Sequence, residues 1–282
     1  MSRASDRVFQ QWMRLAYPEL QRDTRLVTKA NQPPSRRRRL AWGCGGLLAV
    51  LALGLVITFF VLNAPRPEGA SGADAEALAD RVDAALNRDA WEQTGAIQWT
   101  FGPTGTRHLW DRERDWARVS WDESEVLVDL SEPTRGVALQ AGQRVDDPAL
   151  IRTAWERWAN DSFWLIAPFK LRDGGTTREI VHVDGEDQLL IRYASGGATP
   201  GDAYLWNIAP DGTPRAWRMW VSVLPVGGLE TRWDGWITLP TGARIATLRT
   251  TGPVVMEMGD VMGAAHLFEL VPGEDPFAAL VR

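Results

Sequence analysis

Cysteine is almost absent from this sequence: Cys44 is the single one, and it falls inside an apolar stretch. From residue 63 onward there is none, which excludes disulfides and thiolate metal sites there and leaves stability to a packed core. Histidine is nearly as scarce. His108, His182 and His266 stand on separate stretches without metal-ligand spacing, and the chain has no nucleophile-elbow, HExxH or phosphate-loop pattern. Adjacent carboxylates occur at Asp146-Asp147 and Glu186-Asp187, at expected turns where a solvated loop accounts for them. The basic run from Arg112 to Arg118 is interleaved with Glu113 and Asp115 and is read as a hairpin exterior, not an anion site. No catalytic residue, cofactor or metal is expected, and the chain is read as non-enzymatic.

Charge is missing altogether from residues 40–62, LAWGCGGLLAVLALGLVITFFVL. As a helix this run reaches about 34 Å, enough to cross a hydrocarbon core of about 30 Å. Arg36 to Arg39 abut its N-terminal end, whereas Asn63, Pro65 and Pro67 follow it. The positive-inside rule then keeps the N-terminus cytoplasmic and exports the rest. A cleaved signal peptide is the alternative, with a weak site after Ala73, but its basic region and apolar run would both be unusually long. The expectation is a single-pass inner-membrane protein: a cytoplasmic tail (1–39), a transmembrane helix (40–62), a linker (63–75) and an exported domain (76–282).

Charge is also unevenly divided, at +7 over residues 1–39 and −12 over residues 63–282. The tail suits anionic membrane lipid, and its residues Ser5 to Leu15 have the spacing of one short helix. The acidic remainder excludes nucleic acid as its natural partner.

What the exported part does contain is periodicity. Leu78, Val82, Ala85 and Leu86 predict a helix from Asp74 to about Ala90. Alternation then predicts strands at Ile97–Phe101, His108–Trp110, Ala117–Trp121 and Val126–Leu130. Asp147-Pro148 opens a second helix, with Asp as cap and Pro in the first turn, ending near Asn160 and carrying Trp155 and Trp158 on one face. Further strands are predicted at 179–183, 188–193, 203–208, 215–224, 230–239 and 243–250, with Asp211-Gly212, Gly227-Gly228 and Thr241-Gly242 as turns. Trp217, Met219, Val221 and Val223 are expected to share one strand face, as are Trp233, Ile237 and Leu239 in the next strand. Nine or ten strands and two helices make the domain mainly β. The expected architecture is a curved, incomplete antiparallel barrel with a helical lid; a β-sandwich accommodates the helices less well.

Tryptophan is abundant: 15 in the chain and 13 after residue 62. Large aromatics lining a concavity hold an apolar ligand without directional bonds. The candidate lining residues are Trp99, Phe101, Trp155, Trp158, Phe163, Trp164, Trp217, Met219 and Trp233.

The stretch Asp161-Ser162-Phe163-Trp164-Leu165-Ile166-Ala167-Pro168-Phe169-Lys170 resembles a segment of the bacterial lipoprotein-carrier (LolA-like) superfamily. Tyr204-Leu205-Trp206, Asp211-Gly212-Thr213-Pro214, Trp217 and Trp233-Asp234-Gly235-Trp236 extend the resemblance over roughly residues 75–270. It implies a half-barrel whose cavity receives a lipid or lipoprotein acyl chain. It carries over no catalytic residue. Those carriers are soluble or lipid-tethered, so a transmembrane anchor here argues against shuttling across the envelope. Two functions follow as expectations: an anchored binding protein for a lipid or other apolar ligand, or a signalling or assembly subunit that docks an envelope protein partner.

Overall fold

The computed structural model describes residues 63–195 and 201–281. The apolar run 40–62, the tail and Cys44 lie outside the described residues. Among the described residues, no helix is long and apolar enough to cross a membrane. The described residues form two compact units, the larger comprising Pro67–Met219 and the chain from Glu230 onward, the smaller joining residues 63–66 with Trp220–Leu229.

Helix α1 (Ala73–Leu86) buries Leu78, Val82 and Leu86, the spacing seen in the sequence. It stops four residues before the expected Ala90 because Asn87 adopts a left-handed conformation (φ 55°), after which α2 (Arg88–Glu92) restarts. Strands β1 (Ala96–Phe101), β2 (Thr106–Asp111), β3 (Trp116–Trp121) and β4 (Ser124–Asp129) form the predicted meander. Two short strands missing from the periodicity, β5 (Gly136–Gln140) and β6 (Gln143–Val145), extend it. Helix α3 (Pro148–Ile166) follows and runs into a 3-10 turn at Ala167–Phe169. The remaining strands are β7 (Thr176–Val183), β8 (Glu186–Tyr193), β9 (Ala203–Ile208), β10 (Pro214–Trp220), β11 (Leu229–Thr238), β12 (Arg244–Thr251) and β13 (Val254–Ala264). A short helix, α4 (Leu267–Leu270), and a 3-10 turn at Ala278–Leu280 end the described chain.

All thirteen strands join one antiparallel sheet that is not closed, with order β6-β5-β4-β3-β2-β1-β13-β12-β11-β10-β9-β8-β7. Its centre is the pairing of first strand with last, β1 with β13. The register places one set of side chains on a common face, because directly opposite residues point the same way. Leu189 faces Trp206 and Ile191 faces Tyr204. Trp233 faces Arg249, Arg249 faces Met256, and Met258 faces Phe101. Trp99 faces His108 and Ile97 faces Trp110, and the row continues through Val119 and Val126 to Ala138.

Helix α3 covers this face. Asp147 caps it, its carboxylate accepting the N–H groups of Ala149 at 2.9 Å and Leu150 at 3.4 Å. Leu150, Ile151, Trp155 and Trp158 pack on Ala117, Val119, Val126, Val128 and Ala138. The helix continues six residues past Asn160, where it was expected to end, because Asp161–Ile166 keeps burying side chains against the sheet. On the other face, Leu109, Leu127 and Val137 pack against Leu267, Phe277 and Leu280 of the C-terminal segment. Arg114 ties that segment down with a two-pronged pair to Asp275, at 2.7 and 2.9 Å.

Several local expectations change. Strand β10 ends at Trp220, so Val221 and Val223 do not continue the buried row of Trp217 and Met219, and Val223 is exposed. Ile237 is likewise exposed, unlike Trp233 and Leu239. Arg112 is not on a hairpin exterior: its guanidinium lies 3.9 Å from the Trp91 ring centroid and donates to the carbonyls of Trp91 and Thr94. Part of the expected linker is built in. Ala70 bridges to Ile180, Gly69 N–H donates to Glu179 at 3.1 Å, and Pro67 O accepts from Arg192 at 3.0 Å, which covers the edge strand β7. At the β9–β10 turn, Gly212 has φ +88° and approaches α1 so closely that a Cβ would lie 2.3 Å from the Arg81 carbonyl.

Ion pairs fix α1 and the C-terminal segment, and they set an acid limit. Hydrogen bonds from Arg178 and Arg172 hold the Glu76 carboxyl below its ordinary 4.5, and the Arg114 hydrogen bond does the same for Asp275 relative to 3.8. Below those ordinary values the unfolded chain binds more protons than the folded one, so this stability is full above them and is lost as pH falls through the depressed values. Thermal melts are expected to be flat between about pH 7 and pH 5 and to drop below about pH 4.5. Glu76→Gln should shallow that drop; an unchanged slope would refute the assignment.

Candidate apolar ligand site beneath the long helix

Alternation along β8 to β12 aims Tyr193, Tyr204, Trp206, Trp217, Trp233 and Arg249 at the underside of α3, whose last turns supply Phe163 and Trp164. The rings form one continuous cluster. Trp217 is its hub, with ring centroids 4.6 Å from Tyr204, 4.8 Å from Trp206, 4.8 Å from Trp233, 5.2 Å from Trp164 and 5.9 Å from Phe163. Burial pushes the Tyr204 phenol well above its ordinary pKa, with the Asp202 charge adding to it, so the hydroxyl stays protonated.

Arg249 enters this cluster from β12 and is fully buried. Its guanidinium lies 3.4 Å from the Trp233 ring centroid and donates to the Trp164 carbonyl at 3.0 and 2.7 Å and to Leu248 O at 3.0 Å. Burial pushes its pKa well below the usual guanidinium value, and the Asp234 charge opposes that shift. The cation therefore satisfies carbonyls at the C-terminal end of α3, where the helix dipole is negative.

Further along the same face, His108 and Asp161 form a pair with both side chains 0% exposed, Nε2 to Oδ2 at 2.8 Å. Trp99 stacks on the His108 ring at 4.4 Å. Asn160 Nδ2 donates to the other Asp161 oxygen at 2.9 Å. The pair is fully buried and ties α3 to β2 across 53 residues of chain. Trp158 meets Trp110 edge-on at 5.1 Å, and Trp91 stacks on Phe169 at 4.8 Å.

The nine residues expected to line a cavity thus fall into groups. Phe163, Trp164, Trp217 and Trp233 are brought into one cluster; Trp158 sits with Trp110; Trp99 sits with His108. Phe101 and Met219 are buried, and Trp155 packs half-buried among the aliphatics under the first turns of α3. Sequence reasoning passed over Tyr193, Tyr204, Trp206 and Arg249. The two aromatics of β9 were detectable, since Tyr204 and Trp206 alternate within a strand predicted with its observed bounds. Arg249 gave no local signal.

One property marks this interior. Among the described residues, the indole N–H groups of Trp99, Trp110, Trp158, Trp206, Trp217 and Trp233 are buried and hydrogen-bond to no protein atom, as does His108 Nδ1. Buried indoles usually find an acceptor, and each one left unmet costs about 1–3 kcal/mol. The arrangement is a packed aromatic interior that holds several donors unmet by protein acceptors. Among the described residues, no group of three or more His, Cys, Asp or Glu stands close enough to hold a metal ion. No protein-family model matches the chain, and no curated protein matches it.

Proposed function

We propose that this chain is a non-enzymatic binding protein, anchored in the inner membrane by residues 40–62, whose extracytoplasmic β domain is a half-barrel with α3 as its lid. The ligand carries apolar chains and carbonyl acceptors, as an acylated lipid or lipoprotein does. The carrying observation is the set of six buried indole donors without protein acceptors, spread over the aromatic face beneath α3. Plain core packing supplies the apolar contacts but leaves those donors unmet, whereas ester or amide carbonyls of a lipid admitted by displacement of α3 satisfy them and its chains replace the apolar contacts given up. The resemblance of residues 161–170 to lipoprotein carriers points the same way.

The test is saturable uptake of a fluorescent fatty-acid ester by residues 63–282, purified as a strand-rich fragment. Trp158→Phe keeps a ring against Trp110 but removes one donor, so affinity is expected to fall about 2- to 10-fold, the worth of one hydrogen bond, with little change in melting temperature. Trp155→Ala, which removes part of the lid's underside, should weaken uptake as well. Absence of saturable uptake of any apolar probe by the unmodified fragment refutes the ligand reading and leaves the docking of an envelope protein partner in its place.

A further inference from the structure

We infer that the loop between β10 and β11 is a membrane-contacting loop, seated on the lipid surface where the apolar run 40–62 leaves the bilayer. This rests on the anchor proposed above and adds a second lipid contact to it.

The geometry comes from the smaller unit. Ala64 N–H donates to the Gly227 carbonyl at 3.0 Å, Gly227 N–H donates to Asn63 Oδ1 at 2.8 Å, and Trp220 Nε1 donates to the Ala64 carbonyl at 2.8 Å. The fit is close. A Cβ on Gly227 would lie 2.4 Å from Trp220 Cδ1, and one on Gly228 would lie 2.7 Å from Ala64 Cβ. Residues 63 and 64 directly follow Leu62, the last residue of the run. At 3.8 Å per residue, Gly227 stands within about 10 Å of Leu62 whatever the backbone does between them. The loop is thereby held at the level where the anchor would emerge.

Its composition matches that place. From Met219 to Leu229 there are eleven residues without a charge, in a chain that is 24% charged, and Val221, Val223, Leu224 and Val226 lie among them. Val223 is 51% exposed. A single exposed valine requires no explanation, but a charge-free aliphatic loop pinned beside a membrane exit does. Trp220, half-buried at its base, is the residue type that favours the headgroup level. Such a loop needs only to enter the upper few Å of the bilayer to bury its aliphatic side chains.

The experiment uses the full chain carrying Cys44→Ser and a single environment-sensitive fluorophore on Val223→Cys, in vesicles of phosphatidylethanolamine and phosphatidylglycerol. Glu123→Cys, in the exposed β3–β4 turn, is the control position. The expected result is emission at shorter wavelength from position 223, quenched several-fold more than position 123 by lipid nitroxides placed near the headgroup. If the chain floats with the vesicles but position 223 reports water, the loop inference is overturned and the anchor stands. Short-wavelength emission that lipid nitroxides do not quench means a protein surface covers the loop, which also overturns it. If the chain does not float at all, the anchor reading fails and the loop inference falls with it.

Discussion

Trp217→Ala is expected to destabilise the domain by about 3–5 kcal/mol, the usual cost of deleting a buried Trp side chain. For a domain of this size that corresponds to a melting temperature lower by roughly 6–20 °C. The reason is its position as hub: five other rings lie within 6 Å of it, so their contact surface loses its partner at once and the sheet cannot collapse to refill the space. Trp217→Phe separates packing from donation. It keeps most of the ring contact and removes the Nε1 donor, so the melting temperature should fall far less than for Ala. Uptake of the fatty-acid ester should nevertheless weaken if the donors serve a ligand. Should Trp217→Ala melt within a degree or two of the unmodified domain, the cluster is not the core that its distances describe.

Arg249→Leu is the second large effect, and its sign is not obvious in advance. Removing a buried charge recovers its desolvation, and replacing such a group by an apolar one is often neutral or better. Here, however, the lost partners are backbone carbonyls that cannot turn away. Trp164 O accepts from both Nε and Nη2, and Leu165 O lies 3.4 Å from Nη2. Leucine takes the guanidinium donors away from these α3 carbonyls, at about 1–3 kcal/mol for each bond not replaced, and removes a cation from the negative end of the helix dipole. The expected net loss is about 2 kcal/mol or more, concentrated at one place. Amide hydrogen exchange in the last turn of α3 should accelerate about tenfold, while β1 to β4 change less. An Arg249→Leu domain as stable as the unmodified one would mean that the aromatic packing alone fixes the end of α3.

The elements that were legible from sequence have a local cause. Ile97, Trp99 and Phe101 alternate with polar residues, and β1 follows; Asp147 before Pro148 is a capping pair, and α3 starts there. Strand β9 was predicted with its observed bounds, 203–208. The missed elements lack such causes. β6 spans three residues and buries none fully, and β13 carries a kink at Asp260, with φ 52°, that breaks its alternation so that Met256 and Met258 turn inward but Met262 turns out. Helix α3 outran its expected end because residues 161–166 owe their helical state to the sheet beneath them.

The candidate site divides in the same way. Its aromatic residues could be named from composition and alternation, since period-two spacing alone assigns Trp217 and Met219 to one side of a strand. Their grouping could not, because it depends on β1 pairing with β13 and on α3 crossing from β3–β5 to β12, contacts between residues far apart in the chain. His108 and Asp161 are 53 residues apart, and Arg249 is 85 residues from the carbonyl it caps. Local sequence determined where strands and helices begin, which residues are apolar, and where charge is missing, since these follow from backbone preference and hydrophobicity along a few residues. Only the tertiary structure decided that a charged arginine is buried and that, among the described residues, six buried indole N–H groups meet no protein acceptor, because burial and partnership belong to whichever surfaces the register brings together.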